Sequence, residues 1–374
     1  MNCYIIGALP QSLINFRGEL IRSFSQKGLA VVSMASGAKV NEIEQLNIIG
    51  SKYLGYHVSR NGLNPISDIK TLKNLIEVFY KNRPDYILAY TIKPIIWGGL
   101  SARITKINNF YALVTGLGYA FQKGGFAKSL LNFLVRLLYR LALKKCKGVI
   151  FQNRDNMQVF TDEGIVPKEK CFLVNGSGVD LSHYNLSPLP STPHFLLIAR
   201  LLGDKGIREY AQAAQLVKQK YPEAVFELVG PEDPSPDGIK LDEVHEWTES
   251  GAIKYSGATT DVRPFIENCA IYVLPSYHEG MPRTVLEAMA MGRPILTTDV
   301  PGCRETVIDG ENGWLVEKAN AEQLAERMIW FIENQDKWHE MGKSSHDMAY
   351  EKFDVHKVNA EILKIMGLSN EKDI

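Results

Sequence analysis

The chain is sparing with cysteine, carries no excess charge of either sign and contains no long apolar run. Its five cysteines, Cys3, Cys146, Cys171, Cys269 and Cys303, are odd in number, widely spaced and free of any CxxC pair. That excludes a disulfide framework and argues for reduced thiols at a cytoplasmic address. Lys and Arg number 42 and Asp and Glu 42, so no global field marks the chain as nucleic-acid binding, and any basic surface must be local. No uninterrupted apolar segment reaches the roughly 18 to 20 residues of a membrane span, so a soluble protein, or one attached to a membrane surface, is expected. The segment from Met1 to Gly7 reads as a strand entering a glycine turn, not as a basic leader, and no signal peptide is expected. Repeats at solenoid period and low-complexity tracts are also missing.

What is present is an alternation. Short apolar, β-branched runs begin near Tyr4, Ala30, Tyr86, Phe110 and Val149, and again near Phe195, Val225, Ile253, Ile271 and Ile295. Amphipathic segments separate them, the pattern of βα units around parallel sheets. Between the two sets lies Asn175-Gly176-Ser177-Gly178-Val179-Asp180, then Pro188, Pro190 and Pro193, which is turn chemistry followed by a stiff linker. The 374 residues therefore divide into domains at 1–187 and 188–350, with 351–374 as a helix and tail that could pack on either. Two open α/β domains so joined would form a cleft facing the C-terminal ends of both sheets, where such folds take ligands.

The strongest motif runs from Pro275 to Pro294, PSYHEGMPRTVLEAMAMGRP. A buried strand ends at Leu274, a loop carries Glu279, Gly280 and Met281, and Pro282 stands where a helix begins, its missing N–H costing nothing there. The helix start would offer N–H groups and a positive dipole end to a phosphate near Arg283 and Thr284, and Gly280 would let a ligand approach the backbone. Carboxylates accept from vicinal hydroxyls, so Glu279 and Glu287 suit two sugars. Taken singly, Glu279 reads as a solvated loop acid and Glu287 as a surface helix residue. In context the segment resembles the E-x7-E signature of the family 4 retaining glycosyltransferases, as do Gly302-Cys303-Arg304-Glu305 and the Asp309 to Val316 stretch.

Ile198 to Gly206, IARLLGDKG, is a strand followed by a loop holding Arg200 and Lys205. It resembles the same family's Arg-x4-Lys-Gly segment, in which both cations hold the donor's pyrophosphate. Arg supplies a planar fork for phosphate oxygens and Lys a movable point charge. The resemblance implies a GT-B architecture of two Rossmann-like domains, a UDP-sugar co-substrate, and uracil near Gly230 or Tyr255. No Asp-x-Asp pair occurs, and the eight histidines, His278 among them, have no metal-ligand spacing. With two cations and a helix dipole to neutralise the leaving group, a metal-independent enzyme without cofactor is expected.

The first half is less legible. Gly7, with Asn15 to Gly18 opening the next helix, takes the place of the family's glycine-containing first loop but lacks its double glycine. Arg17 reads either as a contact to an acceptor phosphate or as a surface residue. Val114-Thr115-Gly116-Leu117-Gly118-Tyr119 looks like the segment where many relatives carry a His before the Gly; here that position is Thr115. Residues 127–147, AKSLLNFLVRLLYRLALKKCK, read as a helix on which Arg136, Arg140 and Lys144 form a cationic stripe against a Leu and Phe face. Either it is a core helix with snorkelling arginines or it lies on anionic lipid.

Taken with Ser59 to Pro65, SRNGLNP, these segments resemble bacterial enzymes that add N-acetylgalactosamine in α1,3 linkage to an undecaprenyl-diphosphate-linked sugar in glycan or O-antigen assembly. The resemblance implies a polyprenyl-diphosphate-linked acceptor and a peripheral place on the cytoplasmic face of the inner membrane. Three other readings stay open, the first being a transferase with another hexose donor, since no sequence rule separates UDP-GalNAc from UDP-GlcNAc, UDP-galactose or UDP-glucose. A UDP-sugar 2-epimerase of the same plan would act with no acceptor, and a silent scaffold would bind UDP without turnover.

Overall fold

The computed structural model describes residues 1–59, 64–118, 121, 126–235 and 237–369. Arg60 to Leu63 of the SRNGLNP segment, Tyr119, and the side chains of Ala127 and Lys128 lie outside what it describes. Two compact units are present: residues 1–177 with 356–369, and residues 178–355. The first unit is built on seven parallel strands: β1 (Asn2–Ile6), β2 (Ala30–Ala35), β3 (Ser51–Gly55), β4 (Tyr86–Tyr90), β5 (Phe110–Val114), β6 (Gly148–Phe151) and β7 (Cys171–Leu173). Their order across the sheet is β3-β2-β1-β4-β5-β6-β7. The strands read as nearly continuous apolar runs because both faces are covered. Tyr4 and Ile6 enter one core and Cys3 and Ile5 the other.

The second unit holds six parallel strands: β8 (His194–Ile198), β9 (Val225–Val229), β10 (Lys254–Tyr255), β11 (Ile271–Leu274), β12 (Ile295–Thr298) and β13 (Gly313–Val316). The order is β10-β9-β8-β11-β12-β13. Phe195 and Leu197 pack on one side of this sheet, Leu196 and Ile198 on the other. In each sheet the strand order reverses once, between β1 and β4 and between β8 and β11. Ligands of open α/β sheets bind beyond the carboxyl ends of strands at such reversals.

The linker region differs from the sequence division at 187/188. Residues 178–187 belong to the second unit: the Val179 N–H donates to the Phe353 carbonyl at 2.8 Å, and the Val355 N–H to the Val179 carbonyl at 3.0 Å. The prolines mark a later stiff stretch inside that unit. The helix Val355–Ile365 carries Val358, Ile362 and Leu363 onto the Cys3 and Ile5 face of the first sheet.

Candidate functional site

The loops after β8 and β11, neighbours at the reversal of the second sheet, are joined backbone to backbone. The Tyr277 N–H donates to the Asp204 carbonyl at 2.8 Å, and the Ser276 hydroxyl donates to the same carbonyl at 3.2 Å. Gly206 makes this junction possible. With φ at +69° it starts the helix Ile207–Lys218, and a Cβ there would stand 2.0 Å from the Pro275 carbonyl oxygen. Any other side chain would push the two loops apart.

The junction brings two of the expected side chains together: Lys205 Nζ lies 2.6 Å from Glu279 Oε1. Burial opposes the charge on Lys205, but the Glu279 carboxylate outweighs it and raises the ammonium above its ordinary value. Lys205 is therefore a fixed cation. Arg200, in the loop after β8, is half exposed and donates to Asp233 in the loop after β9. Burial would raise the Asp233 carboxyl, yet hydrogen bonds from Ser235 and the Arg200 guanidinium hold it below its usual range. Beside Arg200, Gly230 takes φ +154°, and a Cβ there would lie 1.7 Å from the Ala199 carbonyl oxygen. The Tyr255 hydroxyl donates to the Gly230 carbonyl at 2.8 Å. Both residues expected near a base thus shape one turn, and the Tyr255 hydroxyl is committed to backbone.

After β11 the chain passes Glu279, whose N–H donates to Pro301 at 3.1 Å, then buried Gly280 and half-buried Met281. The helix Arg283–Ala290 starts one residue after Pro282, not at it, and its first turn has no side-chain cap, an arrangement that suits an anion. Thr284 stands half buried in the first turn of that helix.

Glu287 is buried, which removes its reading as a surface residue. Its Oε1 accepts from the Tyr184 hydroxyl at 2.9 Å and from Arg283 Nε at 2.8 Å. Burial raises the Glu287 carboxyl, and Arg283 and Tyr184 only partly offset it. Sequence reasoning missed Tyr184 and Asp233. Neither sits in a motif, and each meets its partner only through the fold.

The carboxyl edge of the first sheet gathers a second group. Gly7 follows β1 and faces the Tyr90 ring at the end of β4, where a Cβ would meet the phenol oxygen at 2.3 Å. Arg17 is 3% exposed, which overturns its reading as a surface residue. Its guanidinium lies over the Tyr90 ring, 5.1 Å from the centroid, and Nη1 donates to Ser177 Oγ at 3.0 Å. Gln152, after β6, also donates to that hydroxyl, at 3.2 Å. Thr115 and Gly116 follow β5, half buried, on the same carboxyl edge.

The helix expected over 127–147 spans Phe126–Leu143, so Lys144, Lys145 and Lys147 lie beyond its end. Two members of its cationic stripe, Arg136 and Arg140, are engaged by protein, while Lys144 is exposed. Arg136 Nε pairs with Glu163 at 2.9 Å, and Arg140 donates to the Glu163 and Gly164 carbonyls, the former at 2.5 Å. Among the described residues no helix is long and apolar enough to cross a membrane, and no group of three or more His, Cys, Asp or Glu is placed to hold a metal ion.

Residues 192–334 match the family described as Glycosyl transferases group 1, and residues 13–153 the family described as Glycosyl transferase 4-like. The chain is 31% identical over 339 residues to the N,N'-diacetylbacillosaminyl-diphospho-undecaprenol alpha-1,3-N-acetylgalactosaminyltransferase of Campylobacter jejuni, covering 87% of each. It is 22% identical to an Escherichia coli UDP-Gal:alpha-D-GlcNAc-diphosphoundecaprenol alpha-1,3-galactosyltransferase, over 71% of this chain and 70% of that one. Among solved structures, Anabaena HepE in complex with UDP and glucose superposes with a TM-score of 0.79 at 17% identity, covering 98% of this chain and 99% of the other. That likeness gives the expected GT-B fold.

Proposed function

The chain belongs to the group 1 glycosyl transferases, and on that premise we propose that it is a retaining, metal-independent enzyme moving a hexosyl unit from a UDP-sugar to a polyprenyl-diphosphate-linked sugar. The observation that carries this reading is the 2.6 Å contact between Lys205 and Glu279 at the strand-order reversal of the second sheet. A diphosphate reaching Lys205 brings its sugar to Glu279. The Campylobacter and Escherichia relatives are named for undecaprenyl-diphosphate acceptors, which supports the acceptor class and a place in surface glycan or O-antigen assembly. N-acetylgalactosamine in α1,3 linkage is the donor and linkage proposed, on the likeness to the Campylobacter enzyme.

In this reading Arg200 exchanges Asp233 for phosphate oxygens, and Lys205 and the start of the Arg283–Ala290 helix share the remaining charge. Glu279 holds the donor sugar, Glu287 the ribose, and the turn at Gly230 and Tyr255 the uracil. The bond from the anomeric carbon to the diphosphate breaks as the acceptor hydroxyl oxygen attacks on the same face. Its proton passes to the departing phosphate oxygen, so no carboxylate nucleophile is required and the products are UDP and the extended glycan. The buried Arg17, with Gly7, Thr115 and Gly116, is assigned to the acceptor side. An acceptor anchored in lipid places the enzyme peripherally on the cytoplasmic face of the inner membrane, with residues 127–147 at the contact.

Incubation with a panel of UDP-sugars and a lipid-diphosphate sugar, products read by mass, tests the reading. One hexosyl unit added to the acceptor supports it. Interconversion of the UDP-sugar without acceptor would establish an epimerase instead.

A further inference from the structure

The helix Phe126–Leu143 is apolar on two faces. Val135, Tyr139, Ala142 and Leu143 are buried in the first unit. Yet Leu130, Phe133, Leu134, Leu137 and Leu141 are 51%, 59%, 46%, 39% and 41% exposed. At about 100° per residue, these five fall within one arc of roughly 100° on the side away from the buried four. Single exposed leucines need no explanation, but a contiguous row of five marks a surface that something covers.

Cations are grouped at one end of that row. Arg103, Lys106 and Lys145 line a cavity beside the helix's C-terminal end. Arg103 Nη1 donates to the Leu141 carbonyl at 3.2 Å, which ties this cavity to the end of the apolar row. Lys170 Nζ reaches the Lys144 carbonyl at 3.4 Å, and exposed Lys144 and Lys147 stand close by in sequence. Arg136 and Arg140, by contrast, are engaged with Glu163 and Gly164.

We propose that this face is a monolayer-docking surface, in which Leu130, Phe133, Leu134, Leu137 and Leu141 enter the lipid interface and the Arg103, Lys106 and Lys145 cavity takes an anionic lipid headgroup. The charge pattern selects the occupant. An apolar row ending in a cluster of cations fits the boundary between acyl chains and anionic phosphates, where apolar area and basic residues add. The helix lies in the interface and does not span it. The inference rests on the lipid-linked acceptor of the proposed function for its purpose, and on exposure and charge for its geometry. It reverses the role of the arginine stripe: Arg136 and Arg140 fasten the helix to the protein, and the leucines and phenylalanine meet the membrane.

The test is cosedimentation of the full chain with vesicles of phosphatidylcholine alone or mixed with phosphatidylglycerol. A variant carrying L130Q, F133Q, L137Q and L141Q should lose binding to both vesicle types by more than about tenfold, while still binding UDP and glycosylating a short-chain soluble acceptor. The pair Lys106→Glu and Lys145→Glu should lose only the gain due to phosphatidylglycerol, and raised salt should imitate it. Vesicle binding unchanged in the apolar variant, with its circular dichroism intact, would overturn the proposal. So would a fall in oligomeric state of that variant without lipid, since the face would then be a contact between copies. If the vesicle results hold but no lipid-diphosphate sugar is extended, the docking surface stands and the acceptor assignment falls.

Discussion

The Tyr184 hydroxyl donates to Glu287 Oε1 at 2.9 Å, joining residues 103 positions apart in a buried pair. Because Arg283 donates to the same oxygen at 2.8 Å, the carboxylate is held from two sides before any ligand arrives. Tyr184 thus acts through Glu287 as a positioning residue. Tyr184→Phe removes one hydrogen bond to a charged group, worth about 1.5 kcal/mol at the low end. The KM for the donor should rise about tenfold with kcat nearly unchanged, since the proposed function assigns Glu287 to the ribose, where contact is equal in ground and transition states. Glu287→Ala should show the same pattern more strongly. Glu279→Ala should instead lower kcat, because the proposed function assigns it to the donor sugar, where charge develops. Steady-state kinetics on the three variants separate these outcomes, and one shared profile would contradict the division.

Protein cations are assigned the leaving group's charge, so turnover in excess EDTA should match turnover without it. Loss of activity restored by added magnesium would show that Arg200 and Lys205 do not suffice.

Glu227, buried in β9, should make stability depend on acid. Burial alone would raise its carboxyl, but hydrogen bonds from His194, Lys254 and Ser256 outweigh that and hold it down to about 2. A carboxyl depressed in the folded state stabilises above its unfolded value of 4.5, and the contribution is lost as pH falls from there through about 2. Glu227→Gln should therefore cost about 2 to 3 kcal/mol at neutral pH, with the gap to wild type closing in acid. Urea denaturation at a series of pH values reads it, and a pH-independent gap would rule the linkage out.

Arg293 is fully buried and donates to the carbonyls of Ile266 at 2.8 Å, Ser187 and Pro188 at 3.1 Å, and Glu267 at 3.3 Å. It pins the start of the proline stretch to the second unit. Arg293→Met would leave those carbonyls unsatisfied and should destabilise that unit by about 3 kcal/mol. The first thermal transition should shift down while UDP binding in the folded variant is kept. An unshifted transition would mean the carbonyls find other donors.

Strands buried on both faces were legible in the sequence, because continuous apolar runs such as Phe195 to Ile198 admit few other readings. The strands that sequence reasoning passed over, β3, β7 and β13, are all sheet edges. Their sequences show why: Ser51–Gly55 carries Lys52, Cys171–Leu173 is three residues long, and Gly313–Val316 opens on glycine. The site divides in the same way. Lys205 and Glu279 lie in motifs whose local chain fixes their direction. Tyr184 and Asp233 meet their partners across 103 and 33 residues, and only sheet order brings them there. Arg17 was ambiguous because a lone arginine carries no sign of the Tyr90 ring and Ser177 that enclose it, and the helix expected to open at Asn15 to Gly18 begins at Pro10, which puts Arg17 in its middle.

The claim that Arg200 and Lys205 hold the donor's diphosphate is tested most directly by comparing UDP with uridine in titration calorimetry on wild type, Arg200→Ala and Lys205→Ala. Both ligands carry the same base and ribose, so the ratio of their dissociation constants isolates the phosphates. Wild type should prefer UDP strongly, and each variant should lose about one to two decades of that preference, the worth of a charge-assisted hydrogen bond of about 1.5 to 3 kcal/mol, with uridine affinity unchanged. A preference for UDP that survives in both variants would place the diphosphate elsewhere.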